Sequence, residues 1–134
     1  MSDRAAVLFA NDAFYVAFMK HDIKAMEDLW ASEAIISCIH PGWGHLLGRD
    51  HVIESWANIL ADHDGSSFTV EGAEVRVFSD MAVVICYEVF KVVTLVATNI
   101  FLREGGIWRM MHHQSSPSPP PLVTSENIKR KTIQ

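Results

Sequence analysis

The chain has 134 residues, of which 49% are hydrophobic, and a formal net charge of −5. This length predicts a single domain with a core large enough to need neither disulfides nor a metal. The charge is uneven, because residues 1–116 carry 8 basic and 15 acidic side chains. An acidic body repels phosphate backbones, so we expect no nucleic acid partner.

The sequence also lacks the patterns of membrane, secreted and cofactor-dependent proteins. No apolar run approaches the roughly 20 residues that span a bilayer, and the N-terminal residues do not form a secretory signal. Cys38 and Cys86 lie inside apolar runs, which favours buried, reduced thiols. No phosphate loop, GxGxxG, GxSxG, CxxC or HExxH motif occurs. We therefore expect a cytoplasmic protein with no membrane partner, no cofactor and no metal.

The first half of the chain has helical periodicity. A helix is predicted over the first twenty residues, with Ser2 as its N-cap, and a second helix begins after Asp22. A short strand is predicted over 34–39 and leads into the turn His40-Pro41-Gly42-Trp43. A third helix is predicted from Arg49 to about residue 63, where a Gly- and Ser-containing cluster ends the helical half.

The second half has strand character. Strands are predicted over 68–78 with a bulge at Gly72, over 81–92 and 93–103 with no Gly or Pro between them, and over 107–115 after a Gly-Gly hairpin. The Pro-rich run after residue 116 should lie outside the sheet interior. We expect a domain over 1–116 and a flexible tail over 117–134.

This order of elements predicts an α+β fold in which three N-terminal helices pack on one face of a mostly antiparallel sheet. A strongly curved sheet would leave a cone-shaped space between itself and the helices. The strands are apolar on both faces, so a homodimer that packs sheet against sheet is expected to cover the outer face.

Histidines are the first candidates for chemistry. His40 stands on a rigid turn and could act as a general base, because imidazole titrates near neutral pH; it could equally be a turn histidine bonded to backbone. His112 and His113 are neighbours in the last strand, so one of them can face a pocket. Strict alternation places Trp108, Met110 and His112 on one face and His113 on the other.

Three more polar side chains stand in apolar settings. Glu88 and Asn99 lie inside the most apolar strands and must find partners if buried, either in the sheet or dimer interface or as pocket walls that orient a ligand. Tyr15 on the first helix could aim its hydroxyl inward as an oxyanion donor, or outward to the rim.

The aromatic content favours a pocket for an apolar or planar ligand. Four tryptophans and seven phenylalanines occur in this short chain. Although such residues more often pack in a core than line a ligand site, so many in one small domain favour an aromatic-lined cavity. The expected ligand-binding set comprises Phe18, Trp30, Trp43, Trp56, Glu88, His112 and His113.

Three segments together suggest a family. They read HPGW at 40–43, GRDHVIESW at 48–56 and WRMMHHQSSP at 108–117. With the order of elements, they resemble the SnoaL-like branch of the nuclear transport factor 2-like superfamily over about residues 3–117. The resemblance implies a cone-shaped α+β fold, usually dimeric, with a pocket between helices and curved sheet. Its members include ketosteroid isomerases, polyketide cyclases, epoxide hydrolases, dehydratases and non-catalytic binding proteins.

Ketosteroid isomerases offer a residue-by-residue comparison. Their first-helix tyrosine is matched by Tyr15, and Asn99 is the nearest polar residue to their second oxyanion group. Their base is an aspartate before a proline, where this chain has His40 before Pro41. At this position the sequence departs from the pattern of the steroid isomerases, but histidine is also able to transfer protons.

The sequence therefore predicts a small-molecule-binding protein of unassigned activity, and if it is an enzyme we expect proton transfer on an apolar carbonyl compound. His40 would be the base, and Tyr15 or Asn99 would stabilise the oxyanion. The alternatives are a non-catalytic module that binds a ligand or a protein, and a metal-assisted or epoxide-type hydrolase.

Overall fold

A computed structural model describes residues 1–62 and 67–122. Three helices precede a run of long strands, with two short strands between the second and third helices. The elements are α1 (Asp3–Met19), α2 (Ile23–Leu29), β1 (Ser37–Ile39), β2 (Leu46–Leu47), α3 (Arg49–Ala61), β3 (Phe68–Phe78), β4 (Met81–Phe90), β5 (Thr94–Glu104) and β6 (Ile107–Ser118). None of the helices in the described ranges is long and apolar enough to cross a membrane.

The helix starts follow the predicted signals. The Ser2 hydroxyl accepts a hydrogen bond from the Ala5 amide, and the Asp22 carboxylate accepts one from the Ala25 amide. Gly48 precedes α3 at φ 93°, a backbone conformation that favours glycine, and no side chain caps that helix. The predicted end of α3 near residue 63 lies outside the described residues.

The sheet has six strands in the order β2-β1-β6-β5-β4-β3. Strands β3 to β6 form an antiparallel meander, and β1 pairs parallel with β6. This pairing brings the His40 turn beside the C-terminal half of β6. The helices pack on one face of the curved sheet, so the predicted α+β class and cone-shaped fold are confirmed.

Several strand boundaries differ from prediction. Strand β1 begins at Ser37 rather than residue 34, and the two-residue β2 was not predicted. Strand β6 runs to Ser118, three residues beyond the predicted end, with Pro117 opposite Leu95 of β5. The pairing of β1 with β6 ends at Gln114, so within the described residues Pro117 pairs with a strand on one side only. A proline is tolerated in such an edge position because it has no N–H to donate.

Two irregularities interrupt the sheet. The predicted bulge at Gly72 is present, since the β3–β4 register shifts between Glu71 and Glu74 and Gly72 has φ 67°. A second shift in β6 leaves Met111 without a partner, because Met110 pairs with Phe101 and His112 pairs with Ile100.

The second bulge corrects the predicted faces of β6. One unpaired residue reverses the alternation that follows it. Trp108, Met110 and His113 are therefore all buried on the inner face, whereas His112 is half-buried on the other. The prediction that grouped His112 with Trp108 and Met110 was wrong, because strict alternation holds only in an uninterrupted ladder.

Candidate functional site

The space between helices and sheet is filled mainly by aromatic rings. Phe14 lies at the centre, and its ring centroid is 4.8 to 6.5 Å from those of its neighbours. These neighbours are Tyr15, Phe18, Trp30, Trp56 and His113. Most of the pairs meet edge to face, which is a favoured geometry for aromatic packing.

A chain of polar side chains crosses this aromatic interior. The Tyr15 hydroxyl lies 2.6 Å from Glu88 Oε2 and accepts a hydrogen bond from Asn99 Nδ2 at 3.2 Å. Asn99 Oδ1 lies 2.6 Å from His113 Nδ1, and Asn99 Nδ2 also donates to Asn11 Oδ1 at 2.9 Å. We call these five residues the polar chain. The five residues come from four different elements, α1, β4, β5 and β6, so only the tertiary fold assembles the polar chain.

Burial changes the acid–base properties of the polar chain. Glu88 is 1% exposed, and loss of hydration raises its pKa to about 7, although the Tyr15 hydrogen bond opposes this. Burial also raises the pKa of Tyr15, with a further contribution from the Glu88 charge. Burial lowers the pKa of His113 to about 3. Near pH 7 the polar chain therefore contains one neutral imidazole, that of His113, and one partly protonated carboxyl group, that of Glu88.

His40 forms a second group beside the polar chain. Its Nε2 lies 2.8 Å from Ser55 Oγ, and the Ser55 hydroxyl donates to the Val52 carbonyl at 2.7 Å. Its ring centroid is 4.8 Å from both Trp43 and Trp56. Burial lowers the pKa of His40 to about 4. The imidazole is thus neutral near pH 7 and retains a lone pair for accepting a proton.

The two groups meet at Trp56. The Trp56 ring lies 4.8 Å from the His40 ring and 5.7 Å from the His113 ring. Beyond the effect of burial, positive charge on His40 or on His112 further lowers the pKa of His113. The predicted residues Tyr15, Glu88, Asn99, His113 and His40 therefore share one interior.

A surface depression adjoins this interior. It has a volume of about 340 Å³ and lies between the C-terminal halves of α1 and α3. Trp43, which is 48% exposed, contributes one wall, and Phe18 contributes another. Phe18 also contacts Trp56 at 5.0 Å. One layer of aromatic rings thus separates the depression from the buried imidazoles.

Two predicted ligand-binding residues lie apart from the polar chain. His112 is on the other face of the sheet, where Nδ1 lies 2.7 Å from Ser37 Oγ and Nε2 lies 3.3 Å from Gln114 Oε1. Trp30 is buried in the core against Phe14, and its indole N–H has no hydrogen-bond acceptor in the described part of the chain.

Sequence reasoning missed three residues of the interior. Asn11 bonds Asn99, Ser55 bonds His40, and the Cys86 sulfur lies 3.4 Å from the Tyr15 oxygen. Two of them had a signal in the sequence, because Asn11 is one helical turn before Tyr15 and Cys86 is two residues before Glu88 on the same strand face. Ser55 had none, since its role depends on a turn fifteen residues away.

Metal coordination has no geometric support in the described ranges. No group of three or more His, Cys, Asp or Glu side chains within residues 1–62 and 67–122 is arranged to hold an ion. Cys38 and Cys86 are both buried free thiols. Burial raises the pKa of the Cys38 thiol to about 12, which keeps it protonated.

Comparisons with known proteins agree with this architecture. A model of the SnoaL-like domain matches residues 7–120. Among solved structures, a candidate dehydratase of the NTF2-like family from Streptomyces avermitilis is 32% identical, with a TM-score of 0.81 over 88% of this chain and 97% of that one. A candidate calcium/calmodulin-dependent protein kinase type II association domain from Thiobacillus denitrificans is 28% identical, with a TM-score of 0.74 over 82% of this chain and 93% of that one.

One curated protein is also similar. It is the F-box protein SKIP8 of Arabidopsis thaliana, which is 30% identical over 113 residues. The match covers 83% of this chain and 49% of that protein. The chain therefore spans about half the length of this relative.

Proposed function

We propose a small-molecule function for this chain, which belongs to the SnoaL-like domain family. A small, mostly apolar ligand enters the aromatic interior from the depression walled by Phe18 and Trp43, and His40 and Glu88 transfer a proton on that ligand. The observation that supports this proposal is the polar chain inside an aromatic interior. Buried polar groups cost free energy unless they are paired, and apolar side chains would serve stability as well or better.

The protonation states suit acid–base catalysis. Since burial lowers the pKa of His40 to about 4 and raises that of Glu88 to about 7, a neutral base and a protonated acid coexist between these values. In this reading His40 accepts the proton and Glu88 returns one. The similarity to a candidate dehydratase supports a reaction of the isomerase or dehydratase type.

Stabilisation of the oxyanion of a carbonyl substrate would depend on the protonation state of Glu88. Both Asn99 amide hydrogens are engaged, one with Asn11 and one with Tyr15. The Tyr15 hydrogen is directed to Glu88 when that carboxylate is ionised. Once Glu88 is protonated, its carboxyl group can donate to the Tyr15 oxygen, and the Tyr15 hydroxyl is then available to donate to a substrate oxyanion.

Exchange of the C–H hydrogens next to the carbonyl of small cyclic ketones in deuterated water tests this function. We expect His40→Ala and Glu88→Gln each to slow exchange about 10²-fold or more, as for loss of a general acid or base. The wild-type rate should be highest between the two pKa values and fall above pH 7 as Glu88 ionises. Mass spectrometry or NMR of the substrate measures the rate.

The control for this experiment is His51→Ala. His51 is exposed on α3, in the same helix as Ser55 but away from the interior, so its removal should leave exchange unchanged. Equal exchange in wild type, His40→Ala and Glu88→Gln would contradict the proposed acid–base roles.

A protein-interaction module is the second candidate function. The outer face of the sheet presents half-buried apolar side chains in register, such as Val83 opposite Ile100 and Tyr87 opposite Val96. The kinase association domain to which the chain is similar supports an assembly role. A homodimer through this face would cover it.

Light scattering tests the dimer. We expect a mass of about twice the 15.0 kDa of the chain, and Val96→Arg should return it to that of the monomer because a charge cannot be buried unpaired in an apolar interface. Lys24→Glu, on the exposed side of α2, should leave the mass unchanged. A wild-type mass of one chain would contradict the proposal.

A further inference from the structure

Two aromatic walls of the depression, Phe18 and Trp43, are held very differently. The Phe18 ring, on α1, contacts three other rings with centroids 4.9 to 6.3 Å away. These are the rings of Phe14, Trp56 and Phe68. Within the described residues Trp43 contacts one ring, that of His40, at 4.8 Å. Trp43 is 48% exposed and His40 is 3% exposed, so the less tightly packed wall directly covers the buried imidazole.

The backbone that carries Trp43 is a loop anchored at both ends. Strands β1 and β2 pair with each other and hold those ends. Between them the Trp43 amide donates to the His40 carbonyl at 2.9 Å and closes a turn. A methyl group added at Gly42 or at Gly44 would meet no atom within 4 Å, so open space lies beside the backbone on both sides of Trp43. The indole can therefore rotate without displacing a helix or a strand.

We propose that Trp43 is a swinging cover that opens His40 to a ligand in the depression. Rotation of the indole away from His40 joins the depression of about 340 Å³ to the imidazole, and the ligand takes the place that the indole leaves. Rotamer changes of exposed side chains are fast, so the cover opens without movement of α1 or α3. This inference rests on the proposed entry of a ligand from the depression and identifies the residue that admits it.

The closed cover also keeps water away from His40. Loss of hydration is what lowers the pKa of His40 from 6.5 to about 4. Removal of the indole admits water to the imidazole, so the pKa of His40 should move back towards 6.5 in Trp43→Ala. NMR titration of the imidazole measures this change.

Histidine labelling with diethyl pyrocarbonate at pH 7, followed by mass spectrometry of peptides, tests the cover without a ligand. The reagent acylates neutral imidazole, and the exposed His51 on α3 gives the rate of an open site. A minor open state is populated at about 10% or less, so Trp43→Ala should raise the labelling rate of His40 relative to His51 by about tenfold or more. Trp43→Phe keeps a ring over the imidazole and should raise it much less.

Leu47→Ala is the matched control. Leu47 is exposed on β2 beyond the loop, so its truncation should leave the labelling of His40 unchanged. His113 lies behind Phe14 and Trp56 and should stay protected in every variant. Equal labelling of His40 in wild type and Trp43→Ala overturns the inference. So does an equal rise for His40 and His113, because the whole interior would then open rather than the cover.

Ketone exchange separates this inference from the proposed function. Labelling that follows the prediction in a protein that exchanges no ketone would contradict the acid–base roles of His40 and Glu88, but not the cover. Exchange that depends on His40, with labelling of His40 that is indifferent to Trp43, would contradict the cover alone.

Discussion

Replacing Asn99 with alanine is expected to lower the free energy of unfolding by about 3 kcal/mol. Asn99 is fully buried and bonds three side chains at once, those of Asn11, Tyr15 and His113. Its removal leaves Asn11 Oδ1 and the His113 N–H without partners in a region that water does not reach. Each such group costs about 1 to 3 kcal/mol.

Urea unfolding at pH 7.5 measures this loss, and an unchanged m-value would show that the variant still unfolds from a compact native state. Asn58→Ala is the matched control. Asn58 is exposed on α3, so that change should alter the free energy of unfolding by less than about 0.5 kcal/mol. A loss below about 1 kcal/mol for Asn99→Ala would mean that the polar chain relaxes or fills with water.

Glu88→Gln is expected to stabilise the protein progressively as pH rises. Burial raises the pKa of Glu88 from 4.5 to about 7 in the folded state. The folded state then binds more protons than the unfolded state between these values, so the wild type loses stability as pH rises through them. Glutamine still accepts the Tyr15 hydrogen bond but cannot ionise.

The size of this effect follows from the pKa shift. One pKa unit corresponds to about 1.4 kcal/mol, so the stability difference between Glu88→Gln and wild type should change by about 2 to 3 kcal/mol between pH 5 and pH 8. A constant offset from the amide itself does not affect this change.

The buried histidines act in the opposite sense over the same range. Burial lowers the pKa of His40 to about 4 and that of His113 to about 3, both from 6.5. The unfolded state therefore binds more protons below pH 6.5, and their contribution to stability is lost as pH falls towards 4. In wild type the Glu88 contribution offsets part of this loss, so Glu88→Gln should have the steeper dependence on pH.

Urea unfolding at several pH values between 5 and 8 tests this prediction. Glu54→Gln changes an exposed carboxylate on α3 and serves as the control, since its effect should stay within about 0.5 kcal/mol at every pH. Parallel pH curves for Glu88→Gln and wild type would show that Glu88 is ionised, or solvated, throughout the range.

Much of the fold could be predicted because its signals are local. The caps at Ser2 and Asp22, the start of α3 after Gly48 and the bulge at Gly72 each depend on residues within a few positions. The turn at 91–93 between β4 and β5 was placed only approximately. It contains neither glycine nor proline, and its hydrogen bond between the Phe90 amide and the Val93 carbonyl leaves no mark in the sequence.

The sequence by itself singled out Tyr15, Glu88 and Asn99 as polar side chains in apolar patterns, but it left open whether each points into the interior. The tertiary structure decided what they do. The unpaired Met111 turned His113 rather than His112 inward, the packing of α1 on β4 and β5 joined Tyr15 to Glu88 and Asn99, and loss of water around them set their protonation states. Register, distance and hydration arise between elements far apart in the chain, and no local pattern encodes them.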